Sequence, residues 1–130
     1  MWGTYQSSAL RIEVQADFNK IRRSLTEPQQ LEKWLKPQQI RLLGSASTSE
    51  FSVGQSFESV LGPLKIKHEV EVLSDSGVRF LLSEGIDGFH EWQWGDGWVQ
   101  SRLEGVSLLP LNIGQSASII RLRQYLQSNS

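Results

Sequence analysis

From Gln39 to Leu108 the chain is written almost wholly in period two, and no other feature limits its fold as much. Six segments alternate apolar and polar residues: Gln39–Leu43, Gln55–Leu61, Leu64–Leu73, Val78–Ser83, Gly88–Trp94 and Trp98–Leu108. The last five are separated by Gly62-Pro63, Ser74–Gly77, Gly85–Asp87 and Gly95–Gly97, all of which are turn chemistry. SASTSE, residues 45–50, is a polar connection after the first of them. Links this short join strands that lie side by side and run in opposite directions, so the segments form a meander. A meander of that length with one apolar face curves, and its concave side needs a cover.

The remaining elements supply one. Ala9–Gln15 alternates and reads as an opening strand. Asp17 is placed to cap a helix over FNKIRRSL, with Phe18, Ile21 and Leu25 at helical spacing. Pro28 suits the first turn of a second helix carrying Leu31, Trp34 and Leu35, which Pro37 stops. Pro110 and Asn112 signal the start of a last helix, Asn112–Gln127. Its broad apolar face holds Ile113, Ala117 and Ile120 together with Ile119, Leu122 and Leu126. Gly114 weakens its first turns. The order is β-α-α-β(6)-α, an α+β helix-grip arrangement in which a curved antiparallel sheet wraps a C-terminal helix. Residues 1–130 are expected to form one domain, with 1–7 and 128–130 polar enough to be frayed ends.

Composition excludes several classes of function. A chain of 130 residues supports one real core. The net charge is −1 with basic residues spread out, so no nucleic-acid footprint and no polybasic membrane patch are expected. Cysteine is absent, which removes disulfides, thiolate nucleophiles and cysteine-ligated metals. No apolar run approaches a membrane span, and MWGTYQSSALRIEV has no basic segment leading an apolar one, so a cytoplasmic protein is expected. No Gly-x-Ser-x-Gly elbow, nucleotide-binding glycine run or His-x-His spacing is present, and neither metal nor cofactor is implied.

The stretch HEWQWGDGW, residues 90–98, holds three of the five tryptophans. Asp96-Gly97 predicts a tight type I′ hairpin turn, and the register follows from it. His90, Trp92, Trp94, Val99, Ser101 and Leu103 then share one face, while Glu91, Gln93, Gln100, Arg102 and Glu104 share the other. Glu91 stands opposite Arg102 as an expected ion pair, and Trp98 falls outward beside the turn. In LKIKHEVEVL, Leu64, Ile66, His68, Val70 and Val72 share the inward face, and Val78, Phe80 and Leu82 do so in the next strand. Both histidines of the protein thus point inward.

The pattern resembles the START/Bet v 1-like superfamily (SRPBCC), which includes the polyketide cyclase/dehydrase-like proteins. The likeness is best in ALRIEVQADFNKIRRSLTEPQQLEKWLKP, with VGQSFES (53–59) similar to the family's glycine-led third strand and FHEWQWGDG to its penultimate strand and turn. It covers roughly residues 8–127 and rests on the order of degenerate motifs. It implies a helix-grip fold whose cavity, between sheet and terminal helix, commonly holds an apolar ligand. The terminal helix here is short and follows the last strand closely, a departure from that pattern which bears on the size of the cavity.

Three functions are compatible with these residues. The first is binding of a small hydrophobic or amphipathic ligand, with Phe57, His68, Phe80, His90, Trp92, Trp94, Ser101, Leu103 and Ile120 lining the site. The second is a cyclase/dehydrase-type enzyme using His68 or His90 as acid or base. The third is a protein-interaction module acting through the outer sheet face, Trp98 or Trp2, in a monomer or weak dimer.

Overall fold

Strand β1 (Thr4–Glu13) leads into helices α1 (Phe18–Thr26) and α2 (Pro28–Trp34). Strands β2 (Gln39–Leu43), β3 (Ser56–Leu61), β4 (Leu64–Leu73), β5 (Gly77–Glu84), β6 (Asp87–Gly95) and β7 (Trp98–Ser107) follow, and helix α3 (Leu111–Ser128) closes the chain. The computed structural model describes residues 3–43 and 49–128; Trp2, residues 44–48 of the β2–β3 connection and residues 129–130 lie outside the described residues. The strands form one antiparallel sheet in the order β1-β7-β6-β5-β4-β3-β2. The meander is therefore continuous from β2 to β7, and β1 adds to its far edge. This is the α+β helix-grip arrangement expected from the period-two pattern.

Residues 4–7 are not frayed. They pair with β7 from Thr4↔Ser107 to Ser7↔Glu104, so the strand begins five residues before Ala9. They also have work to do at the other end of the fold. Gln6 Oε1 accepts from the Leu111 N–H at 2.8 Å, and Gln6 Nε2 donates to the Leu109 carbonyl at 2.9 Å. The start of α3 leaves backbone donors without helical partners, and a β1 side chain supplies one acceptor. Ser128, expected as frayed, is the last residue of α3.

The β6–β7 register is the expected one, from Gly95↔Trp98 through Trp92↔Ser101 to His90↔Leu103. The turn type is not. Only Gly97 has positive φ (78°), because Glu84 is the one non-glycine residue with positive φ among the described residues, so the turn is not type I′. Asp96 serves a second element instead: its Oδ1 accepts from the Phe18 N–H at 2.7 Å, beside the Asp17 cap on Lys20 N–H at 2.8 Å. The hairpin tip and the start of α1 are thereby joined.

Two further expectations on the strands are corrected. A bulge between Val70 and Val72 inserts Glu71 opposite the Phe80–Arg79 step, which turns Val72 outward; it is 50% exposed. Glu91 and Arg102 stand opposite each other, yet Glu91 pairs with Arg79 at 3.8 Å and Arg102 with Glu104 at 3.0 Å. Phe89 explains the exchange, since both guanidinium groups lie over its ring, at 3.9 and 5.6 Å. Where β6 meets β7, Gly88 faces Gly105, and a Cβ on Gly88 would sit 1.9 Å from the Glu104 carbonyl oxygen. Facing glycines let the two backbones come this close at the bend.

One end of the concave face is closed. Ile21 and Leu25 of α1, Leu122 and Leu126 of α3 and Val99 of β7 are fully buried there. Lys20 Nζ donates to the Leu126 carbonyl at 2.7 Å and ties the two helices together. Each such aliphatic side chain contributes about 1.5–3 kcal/mol relative to exposure.

Candidate functional site

The other end stays open. A cavity of about 340 Å³ lies between the sheet, α2 and the first half of α3. That is the small end of the range for ligand pockets, about 300–1,000 Å³. Phe57, Ile66, Phe80, Leu82, Trp92 and Leu103 form its sheet wall, and Leu31 and Trp34 of α2, with Leu35 just after it, close one side. Leu111, Ile113, Gly114, Gln115 and Ser118 face it from α3. Leu61, Leu109 and Ile113 are exposed lining residues and mark the mouth.

The change of residue type along α3 accounts for the void. Along the side of α3 that faces the sheet, Leu111 and Ile113 are followed by glycine, glutamine and serine at 114, 115 and 118, then by isoleucine and leucines at 119, 122 and 126. Glycine and serine cannot reach across to the sheet where large aliphatic side chains can, and Gln115 reaches only its partners on β1 and β7. Trp34 stiffens the opposite wall. Its Nε1 donates to the Ser24 carbonyl at 2.8 Å, and its ring meets Trp92 edge-on at 6.1 Å.

Both histidines line the wall, and each is paired with a serine, Ser59 within the lining and Ser101 behind it. Ser59 Oγ and His68 Nε2 are hydrogen-bonded at 3.0 Å, as are Ser101 Oγ and His90 Nε2 at 2.7 Å. The His68 ring stacks on Phe57 at 4.4 Å and 7°, and His90 tilts over Trp92 at 4.6 Å. Burial lowers both imidazoles to about 3, with the charge of His90 a smaller contribution at His68. At neutral pH both rings are uncharged. Gln115 adds a third polar position: its Nε2 lies 3.1 Å from the Ser8 carbonyl, the Ser101 carbonyl and Ser101 Oγ. No Asp, Glu, Lys or Arg lines the cavity among the described residues.

Among the described residues neither Ser–His pair has a third, orienting carboxylate, so neither is held as a triad is. Ser101 is fully buried and engaged by Gln115 as well as His90. Among the described residues no three of His, Asp and Glu gather to hold a metal ion. No helix of the described residues is long and apolar enough to cross a membrane.

His68, Phe80, His90, Trp92 and Leu103 come together in the wall as the alternation predicts, and Phe57, also a candidate, joins them from β3. Ser101 shares their face but sits behind His90, out of the lining. Trp94 is not in the wall: it is 1% exposed, lies 6.5 Å from the Phe18 ring of α1, and fills the closed end. Ile120 is not there either. The inward stripe of α3 runs through Ile119, so its neighbour a third of a turn away is 54% exposed. Three residues of the site escaped the sequence reading. Trp34 has only its helical spacing there, and Ser59 and Gln115 are not singled out at all. Only the last carried a usable signal, a glutamine on the inward stripe of a helix.

No protein-family model and no curated protein matches this chain. Solved structures do. Protein CV1439 from Chromobacterium violaceum superposes with a TM-score of 0.70 at 16% identity, covering 93% of this chain and 97% of that one. The Aha1 dimer from Colwellia psychrerythraea gives 0.69 at 16% identity, covering 94% and 96%. The ginseng major latex-like protein from Panax ginseng gives 0.69 at 9% identity, covering 98% of each chain. Identities this low speak to the fold alone, the helix-grip arrangement described above.

Proposed function

We propose that this protein binds a small hydrophobic or amphipathic molecule in the cavity between the concave sheet and the first half of α3. The observation that carries the reading is the contrast in that one layer: Ile119, Leu122 and Leu126 fill the space at one end of α3, while beyond Leu111 the small Gly114 and Ser118 leave about 340 Å³ at the other. Apolar burial against Phe57, Phe80, Trp92 and Leu103 supplies affinity, and the Ser–His pairs and Gln115 orient the polar part of the ligand. Exposed Leu61, Leu109 and Ile113 at the mouth suit entry of an apolar molecule.

Acid–base catalysis by His68 or His90 has less support, because a catalytic group works best with a pKa near the operating pH. Burial holds both histidines far below it. A protein-docking role through Trp98 also has less support, since the Arg11 guanidinium covers that ring at 4.1 Å.

The neutral fluorophore N-phenyl-1-naphthylamine tests the reading. Trp34 and Trp92 stand in the wall, so binding should quench tryptophan emission and brighten the probe. Ser118→Leu, which fills the cavity from α3, should abolish both signals while leaving the fold intact. A wild-type protein whose emission stays unchanged at saturating probe would overturn the proposal.

A further inference from the structure

We infer that the cavity takes an uncharged molecule presenting a hydrogen-bond donor, a hydroxyl or amide N–H, to Gln115 Oε1, and that it discriminates against carboxylates. The inference rests on the ligand-binding reading above and names the chemistry of the ligand.

The orientation of the Gln115 amide follows from its neighbours. The carbonyl oxygens of Ser8 and Ser101, each 3.1 Å away, only accept hydrogen bonds, so the nitrogen must face them. Oε1 is then directed elsewhere. It is buried without a hydrogen-bond partner among the described residues, on a side chain that is 2% exposed and lines the cavity. A buried acceptor with no donor is costly, and a ligand that donates to it removes that cost.

The rest of the wall sets the sign of the ligand's charge at zero. A carboxylate would enter a site with no Lys or Arg among the described lining residues, and an ammonium one with no Asp or Glu. An unpaired charge is expelled from such surroundings. The histidines do not change this, because burial disfavours their cationic forms. An ether oxygen also fits poorly, since it accepts and cannot donate to Oε1.

Three biphenyls of similar shape separate these cases by isothermal titration calorimetry on the full chain at neutral pH: 4-phenylphenol, 4-methoxybiphenyl and biphenyl-4-carboxylate. The phenol should bind about ten- to a hundredfold more tightly than the ether, and the carboxylate more weakly than either. In Gln115→Met the phenol and the ether should converge to within about threefold. Should that variant fail to fold, the wild-type ranking decides alone. Equal binding of phenol and ether, or tighter binding of the carboxylate, would overturn this inference and leave the ligand-binding reading standing. If N-phenyl-1-naphthylamine binds and none of the biphenyls does, the inference also fails; if nothing binds, both fail.

Discussion

Trp92 and Trp94 sit two residues apart on one face of one strand, and only 4% and 1% of them is exposed. They nevertheless belong to different regions. Trp94 lies under α1 at the closed end, with the Phe18 ring 6.5 Å away. Trp92 stands in a wall, backed by Trp34 and facing open space. Strand alternation decides which face a side chain takes. Whether that face is filled depends on the helices laid across it, and α3 changes character halfway along.

The largest effect should come from breaking the closed end. Trp94→Ala removes a fully enclosed ring and should cost about 3–5 kcal/mol, read as a fall in the urea midpoint with m unchanged. Trp92→Ala should cost about 1–3 kcal/mol, because the lost ring enlarges an existing cavity rather than opening a new one in a filled core. It should also weaken binding of N-phenyl-1-naphthylamine, which Trp94→Ala should change little if the variant folds. Equal costs for the two would show that the ends are packed alike.

Acid should loosen the open end, since both histidines stand there. Their pKa is lowered from 6.5 to about 3 in the folded protein, so the unfolded chain takes up protons first as pH falls. Stability is therefore full above about pH 6.5 and declines toward about pH 3, by up to about 1.4 kcal/mol per pH unit for each histidine. His68→Phe keeps a flat ring against Phe57 and removes one of the two titrations. The stability lost between about pH 6 and pH 4 should fall by roughly half in that variant. Urea titrations across that range check it; an acid dependence unchanged in both His68→Phe and His90→Phe would trace it to other groups.

Much of this architecture was legible in the residues. The β2 and β4 boundaries and the whole β6–β7 register follow from period two and one Asp-Gly step, because each side chain has only two faces to choose between. What stayed hidden depends on partners far along the chain. Thr4–Ser7 look polar and loose until β7 and the start of α3 are set beside them. Val72 alternates correctly until Glu71 is bulged out. For a helix the choice of face is continuous rather than binary, so Ile120 could be placed on a broad apolar stripe whose true centre passes through Ile119. Gln115 joins the site for the same reason: a polar residue on that stripe gains its meaning only when Ser8 and Ser101 meet it.

The smallest expected effect tests the open end from the helix side. Gly114 belongs to α3, where glycine costs about 0.5–1 kcal/mol relative to alanine through lost backbone freedom. A Cβ at this position would meet nothing within 4 Å, so Gly114→Ala adds helix preference without a clash. It should stabilise the protein by about 0.5–1 kcal/mol, a rise of a few degrees in Tm by calorimetry. One methyl group takes up little of about 340 Å³, so affinity for N-phenyl-1-naphthylamine should stay within about threefold of wild type. A gain in stability with binding retained marks the glycine as spare room beside the ligand. Loss of stability would mean that the first turns of α3 press closer to the sheet than Trp92 and its cavity allow.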